Sequence, residues 1–143
     1  MPIVFITGAS SGFGKATAEK FAQAGYQLIL NARRLDRLEA LKTHLVSSYG
    51  SQVLLLPFDV RNREEVAQQL DNMPAPWQKI DVLVNNAGLA AGRDAFQDGS
   101  MDDWELMIDT NLKGLMYVSK WVVNGMMEQK SGYIINISSL ARQ

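Results

Sequence analysis

Five short apolar runs punctuate the chain: Ile3-Val4-Phe5-Ile6, Leu28-Ile29-Leu30, Val53-Leu54-Leu55-Leu56, Val82-Leu83-Val84 and Tyr133-Ile134-Ile135-Asn136-Ile137. Near-continuous apolar character without alternation is the pattern of strands buried on both faces, as in a parallel sheet. The segments between them carry a helical period. Lys15 to Ala24 sets Ala18, Phe21 and Ala22 on one face, with Gly25 where a C-terminal cap belongs. Leu35, Leu38, Leu41 and Leu45 recur at three and four. Asn62-Arg63-Glu64-Glu65 reads as a capping box, with the Asn62 side chain on the amide of the third helical residue. Val66 and Leu70 follow as that helix's apolar contacts, and Met73-Pro74-Ala75-Pro76 breaks it.

Gly88 to Gly99 reads as a loop. Ser100 is placed to cap a helix carrying Trp104, Met107 and Ile108, and a longer helix is expected from Leu112 to Gln129, with Gly114 and Gly125 against its propensity. Trp104, Met107 and Met116 fit core positions better than a cofactor box. Met126-Met127 could form an interface face, although filling core gaps is the safer reading. Strand–helix alternation of this kind predicts an α/β fold, a doubly wound parallel sheet of Rossmann type with five strands over residues 1–143, as one domain.

Composition narrows the chemistry. The net charge of -1 leaves no basic stripe for nucleic acid. With no cysteine and a single histidine, His44, thiolate catalysis and multi-histidine or cysteine metal centres are excluded, and no metal is expected. His44 falls on a helix and is expected to be exposed. No run of eighteen apolar residues suggests a membrane span, and Met1-Pro2-Ile3-Val4 reads as a strand rather than a signal peptide. The expectation is a soluble, cytoplasmic protein acting on a small molecule.

The chemistry concentrates in the turn after the first run. Thr7-Gly8-Ala9-Ser10-Ser11-Gly12-Phe13-Gly14 lies between a strand and a helix. There Gly8 permits a tight turn, Gly12 lets backbone approach a pyrophosphate, and Gly14 lets the helix pack close to the sheet. Free N–H groups at the helix start attract an anion, and Ser10 and Ser11 can add hydroxyl donors. A nucleotide-triphosphate loop is excluded, because Ala9 stands where its first glycine belongs and Ala16 where its magnesium-binding hydroxyl belongs. About twenty residues on, where a carboxylate would bind the ribose of NAD, the chain has Asn31-Ala32-Arg33-Arg34 and no acid until Asp36. Guanidinium groups pair with a 2′-phosphate, which favours NADP; a solvated arginine pair at a helix start is the alternative.

Together with Asp59-Val60, Asn85-Asn86-Ala87-Gly88, Asn111 and Ile134-Ile135-Asn136-Ile137-Ser138-Ser139, this turn resembles the short-chain dehydrogenases/reductases over the whole chain. Finer features, Asn31 to Arg34, Asp59 to Asn62 and Trp104 to Asn111, resemble the NADP-dependent 3-hydroxy acid dehydrogenases of the serine and allo-threonine type. The resemblance implies that Gly8, Ala9, Ser10, Ser11, Gly12, Phe13, Gly14, Arg33, Arg34, Asp59, Val60, Asn86, Ala87 and Gly88 bind the cofactor. Within that set, Asp59 would accept from the adenine amino group and Val60 would offer its backbone beside the ring. Asn111 would bend the long helix and hold a water in the proton relay, and Ser139 would hydrogen-bond the substrate oxygen. On residues alone, Asp59 is equally a strand-end cap, and Asn85 to Gly88 could be only a turn. Arg93 is a candidate for a substrate carboxylate, with a solvated loop arginine the commoner reading.

The family also uses a tyrosine about thirteen residues beyond the serine, with a lysine four later. From Ser139 those positions fall past Gln143, and Arg142 stands where the family usually has glycine. The implied function is hydride transfer between NADP and a small 3-hydroxy acid or hydroxy amino acid, in a protein that is a dimer or tetramer when complete. The alternative is a catalytically inactive dinucleotide-binding piece, and the 143-residue chain alone is expected to turn over little.

Overall fold

The computed structural model describes residues 1–88 and 96–137. It is a five-stranded, all-parallel sheet flanked by helices on both faces. The strands are β1 (Ile3–Ile6), β2 (Gln27–Ala32), β3 (Val53–Pro57), β4 (Val82–Asn85) and β5 (Tyr133–Asn136), in the order β3-β2-β1-β4-β5. The chain winds outward from β1 in both directions, so the strand order reverses beside β1. In such sheets ligands bind in the crevice outside the carboxyl ends at that reversal.

The helices are α1 (Gly12–Gln23), α2 (Leu35–Tyr49), α3 (Arg63–Asp71), α4 (Met101–Ile108) and α5 (Leu115–Gln129). Alternation within the strands divides the core. Val4, Ile6, Leu28 and Leu30 face α1 and α2, meeting Ala18, Ala22, Leu38, Leu41 and Leu45. Ile3, Phe5 and Ile29 face the other way, towards Val66 and Leu70 of α3 and Val118, Val122 and Met126 of α5. Each such aliphatic side chain contributes about 1.5–3 kcal/mol by leaving water.

The expected elements are present, with informative shifts. α1 begins at Gly12, three residues before the expected start, because the glycines themselves form its first turn. Leu35, which fits the apolar period, is exposed; it lies at the first position of α2, ahead of the turns that reach the sheet. Asn62 caps α3 by accepting from the Glu65 amide (3.0 Å), and Ser100 caps α4 through the Asp103 amide (3.4 Å). His44 is exposed, as expected, and pairs with Glu19 of α1 (3.1 Å), which also accepts from the Tyr49 hydroxyl (2.7 Å). These bonds hold the Glu19 carboxyl below its usual range, Tyr49 acting most strongly and His44 next.

The two expected helices after Ser100 are one. α4 runs into α5 through a wider π turn, Asp109–Gly114. Such turns add a residue to the helical circuit and cluster at functional sites. This one ends at Gly114, where a Cβ would lie 2.6 Å from Val60 Cγ2, so glycine lets the helix meet the end of β3. Met116, expected in the core, is exposed, because it is Val118, Val122 and Met126 that share the face turned to the sheet. Met126 is buried and Met127 is exposed. β5 pairs with β4, and its residues Tyr133, Ile134 and Ile135 are exposed, Tyr133 to 75%.

Candidate functional site

The carboxyl ends of β1 to β4 are laced together by buried polar side chains. Thr7 follows β1, and its hydroxyl oxygen accepts from the amides of Asn86 (3.1 Å) and Ala87 (3.0 Å), fixing the loop after β4. Asn31, buried in β2, accepts from the Gly8 amide (3.4 Å) and donates to the carbonyls of Leu56 and Phe58 (3.0 Å each) beside β3. The Asn86 amide group donates to the Gly8 carbonyl (3.0 Å). Burying a polar side chain is costly unless it is bonded, so these bonds hold the loops around the crevice in place.

Glycine is required at two points of the turn. Gly8 has φ +62°, in the left-handed region, and a Cβ there would lie 2.8 Å from Ala87 Cα. At Gly14 a Cβ would collide with the Gly8 carbonyl oxygen and lie 2.7 Å from Asn86 Nδ2. A Cβ on Gly12, by contrast, would meet nothing within 4 Å, leaving the helix start open to an approaching group. No side chain caps α1. Ser11, at the cap position, donates its hydroxyl to the Gly8 carbonyl (3.1 Å), and the first turn holds no acid. The amides opening α1 thus keep their capacity for an anion.

Beside this turn lies a crevice of about 230 Å³. That is below the roughly 300–1,000 Å³ of sites enclosing a drug-sized ligand, so the described residues would enclose only part of a larger one. Gly8, Ser10 and Ser11 line it from β1; Asp59 and Val60 from β3; Asn86, Ala87 and Gly88 from β4. From the end of β2 come Arg33 and, one helical turn on, Arg37. Arg34 points elsewhere: it is not part of the lining and pairs with Asp36 (3.2 Å) at the surface. Ala9 is buried behind the turn, with its amide on the Asn31 carbonyl (2.8 Å), and Phe13 is exposed. Asn111 lies in the π turn, its Oδ1 2.8 Å from where a Cβ on Gly88 would be. Ser139 and Arg93 lie outside the described residues.

Asp59 is half-buried and tightly held. Arg61 donates its backbone amide to Oδ1 (2.9 Å), Nε to Oδ1 (3.0 Å) and Nη2 to Oδ2 (2.6 Å). The Arg61 side chain is the main cause that holds the Asp59 carboxyl below its usual 3.8, with its backbone amide next and the charge of Arg33 adding a smaller effect. The same contact raises the Arg61 guanidinium.

A family model described as short chain dehydrogenase matches residues 2–143. The chain belongs to the short-chain dehydrogenase family. It is 46% identical over 139 residues to the NADP-dependent 3-hydroxy acid dehydrogenase YdfG of Escherichia coli K12, covering 97% of this chain and 54% of that protein. It is 41% identical over 138 residues to the serine 3-dehydrogenase of Rhizobium radiobacter, covering 96% and 53%. Among solved structures, the closed form of serine dehydrogenase complexed with NADP+ matches with a TM-score of 0.89 at 46% identity, over 96% of this chain and 54% of that one. A metagenomic short-chain oxidoreductase in complex with NADP matches with a TM-score of 0.90 at 31% identity, over 98% and 63%. The chain thus spans about half the length of the curated relatives it matches.

Four residues at this crevice, Thr7, Asn31, Arg37 and Arg61, were given no role of their own from the sequence. Thr7 and Asn31 were legible in principle, since a polar residue in or ending an apolar strand must find partners. Arg37 was signalled by its spacing of four from Arg33. Arg61 had only its nearness to Asp59.

Proposed function

We propose that the crevice binds the adenosine-phosphate end of NADP, and that the protein is an oxidoreductase moving a hydride between NADP and a small 3-hydroxy acid or hydroxy amino acid. The observation that carries this is the convergence, on one crevice, of the uncapped α1 start, two guanidinium groups at the end of β2 and a carboxylate at the end of β3. The amides after Gly8 would hold the pyrophosphate. Arg33 and Arg37 would take the 2′-phosphate, a role for which the sequence had offered Arg33 and Arg34. Asp59 and Val60 would face the adenine, and Asn86 to Gly88 the ribose beyond it. NADP, when bound, supplies the hydride acceptor; this chain's residues bind and orient it. Asn111, packed beside Gly88, would serve the proton relay, and Ser139 would polarise the substrate oxygen.

The four residues after Ser139 hold no tyrosine. A second reading therefore stays alongside the first: the 143-residue chain binds the dinucleotide without turning substrate over. A cytoplasmic dimer or tetramer belongs to the main reading. The exposed Leu112, Met116 and Met127 on the long helix support the assembly. Among the described residues, no helix is long and apolar enough to cross a membrane.

The test is a turnover screen with NADP against 3-hydroxy acids, serine and allo-threonine. It is run on the 143-residue chain and on any longer product of the same reading frame. Reduction of NADP by the longer product alone supports hydride transfer together with the second reading of the short chain. Tight NADP binding without turnover in any form would leave a binding protein.

A further inference from the structure

Asp59 projects into the crevice wall on a short segment between β3 and α3, and nothing regular in the backbone fixes its side chain there. What fixes it is Arg61. Three N–H groups of Arg61 engage both carboxylate oxygens, with Nε within 3.1 Å of the second oxygen as well. A turn bond from the Asn62 amide to the Asp59 carbonyl (3.0 Å) closes the segment, and Asn62 then caps α3. Arg61 is therefore tethered to the helix it precedes. A carboxylate offers about four acceptor positions and no donor, so three occupied positions leave about one. Asp59 and Arg61 both line the crevice.

We propose that Arg61 is a positioning residue: it locks the Asp59 carboxylate so that its remaining acceptor faces the crevice, and the pair thereby selects a purine carrying a 6-amino group over one carrying a 6-oxo group. The inference rests on the dinucleotide reading above. An amino group donates to the free acceptor. A 6-oxo group brings a second acceptor against it, and the locked carboxylate cannot turn away. Arginine suits the task because its rigid fork holds a carboxylate in one plane, which a lysine ammonium does not.

The experiment titrates the 143-residue chain with NADPH and with its deaminated, hypoxanthine-bearing analogue, following the fluorescence of the nicotinamide common to both. Wild type is expected to favour NADPH by about tenfold or more, the scale of one hydrogen bond to a charged group. Arg61→Ala should bring the ratio to within about threefold of unity, and Arg61→Lys should fall between. The thermal midpoint of each variant is recorded. If Arg61→Ala does not fold, the Arg61→Lys ratio decides. A wild-type ratio retained in the folded Arg61→Ala, or in Arg61→Lys where that variant decides, overturns the inference while leaving the dinucleotide reading intact. Failure of the wild-type chain to bind either dinucleotide overturns both.

Discussion

Two glycines of the first turn, two residues apart, should respond oppositely to the same methyl group. At Gly14 the added carbon has nowhere to go. The atoms it meets are the Gly8 carbonyl and Ala9 Cα, which are backbone, and Asn86 Nδ2, whose bond to Gly8 it displaces. Overpacking of this kind costs about 1–3 kcal/mol, and the displaced hydrogen bond about 1 more. Better helix propensity returns at most about 1 kcal/mol, and less this close to the N-terminus of α1. Steric cost wins, and Gly14→Ala should lose about 2 kcal/mol. For a chain of 143 residues that is about 7 °C in Tm. At Gly12 the methyl meets nothing, so Gly12→Ala should keep the wild-type midpoint within about 2 °C. It should nonetheless weaken NADP by about tenfold or more, because the methyl occupies the space by which a pyrophosphate reaches the amides. Circular dichroism melts and NADPH fluorescence titrations separate the two effects. A Gly14→Ala midpoint at or above wild type would refute the packing argument. Unchanged NADP affinity in Gly12→Ala would refute the placement of the pyrophosphate.

Thr7→Val keeps the shape of the side chain but strips the acceptor from two amides, those of Asn86 and Ala87. A loss of about 2–4 kcal/mol is expected in urea unfolding, and a change under 0.5 kcal/mol would contradict the lacing described. The depressed Asp59 carboxyl has a signed consequence. Its pairing with Arg61 stabilises the fold fully above the ordinary value of 3.8, and that stability is lost as pH falls through the lower folded value. The gap in urea midpoint between wild type and Asp59→Asn should therefore shrink between about pH 6 and about pH 2.5; a constant gap would show that the pair is not coupled to folding.

The fold was legible because its signals are local and redundant. Val4, Ile6, Leu28 and Leu30 are apolar in runs, and the Gly25 and Asn62 caps punctuate the helices between. What escaped depends on neighbours distant in sequence. The joining of α4 to α5 turns on the close approach of Gly114 to Val60, about fifty residues earlier, and no period in the helix sequence reports it. Met116 fits the apolar period of its helix but faces solvent, because the sheet meets only the stripe of Val118, Val122 and Met126. In the site, Gly8 and Gly14 declared themselves through requirements that only glycine meets, and Gly12 through the open approach it leaves at the helix start. The arginines did not. Arg33 and Arg34 are equivalent as letters, and only the turn into α2 sends Arg33 to the crevice and Arg34 to Asp36.

Calorimetric titration of the chain with NADP and with NAD reads out whether the crevice selects a phosphorylated ribose. NADP should bind at least about tenfold more tightly than NAD, as one to two charge-assisted contacts dictate. The Arg33→Ala, Arg37→Ala double variant should lose that preference, while Arg34→Ala keeps it. Equal affinity for the two dinucleotides in the wild-type chain, or a preference that survives the double variant, would show that Arg33 and Arg37 do not hold the 2′-phosphate.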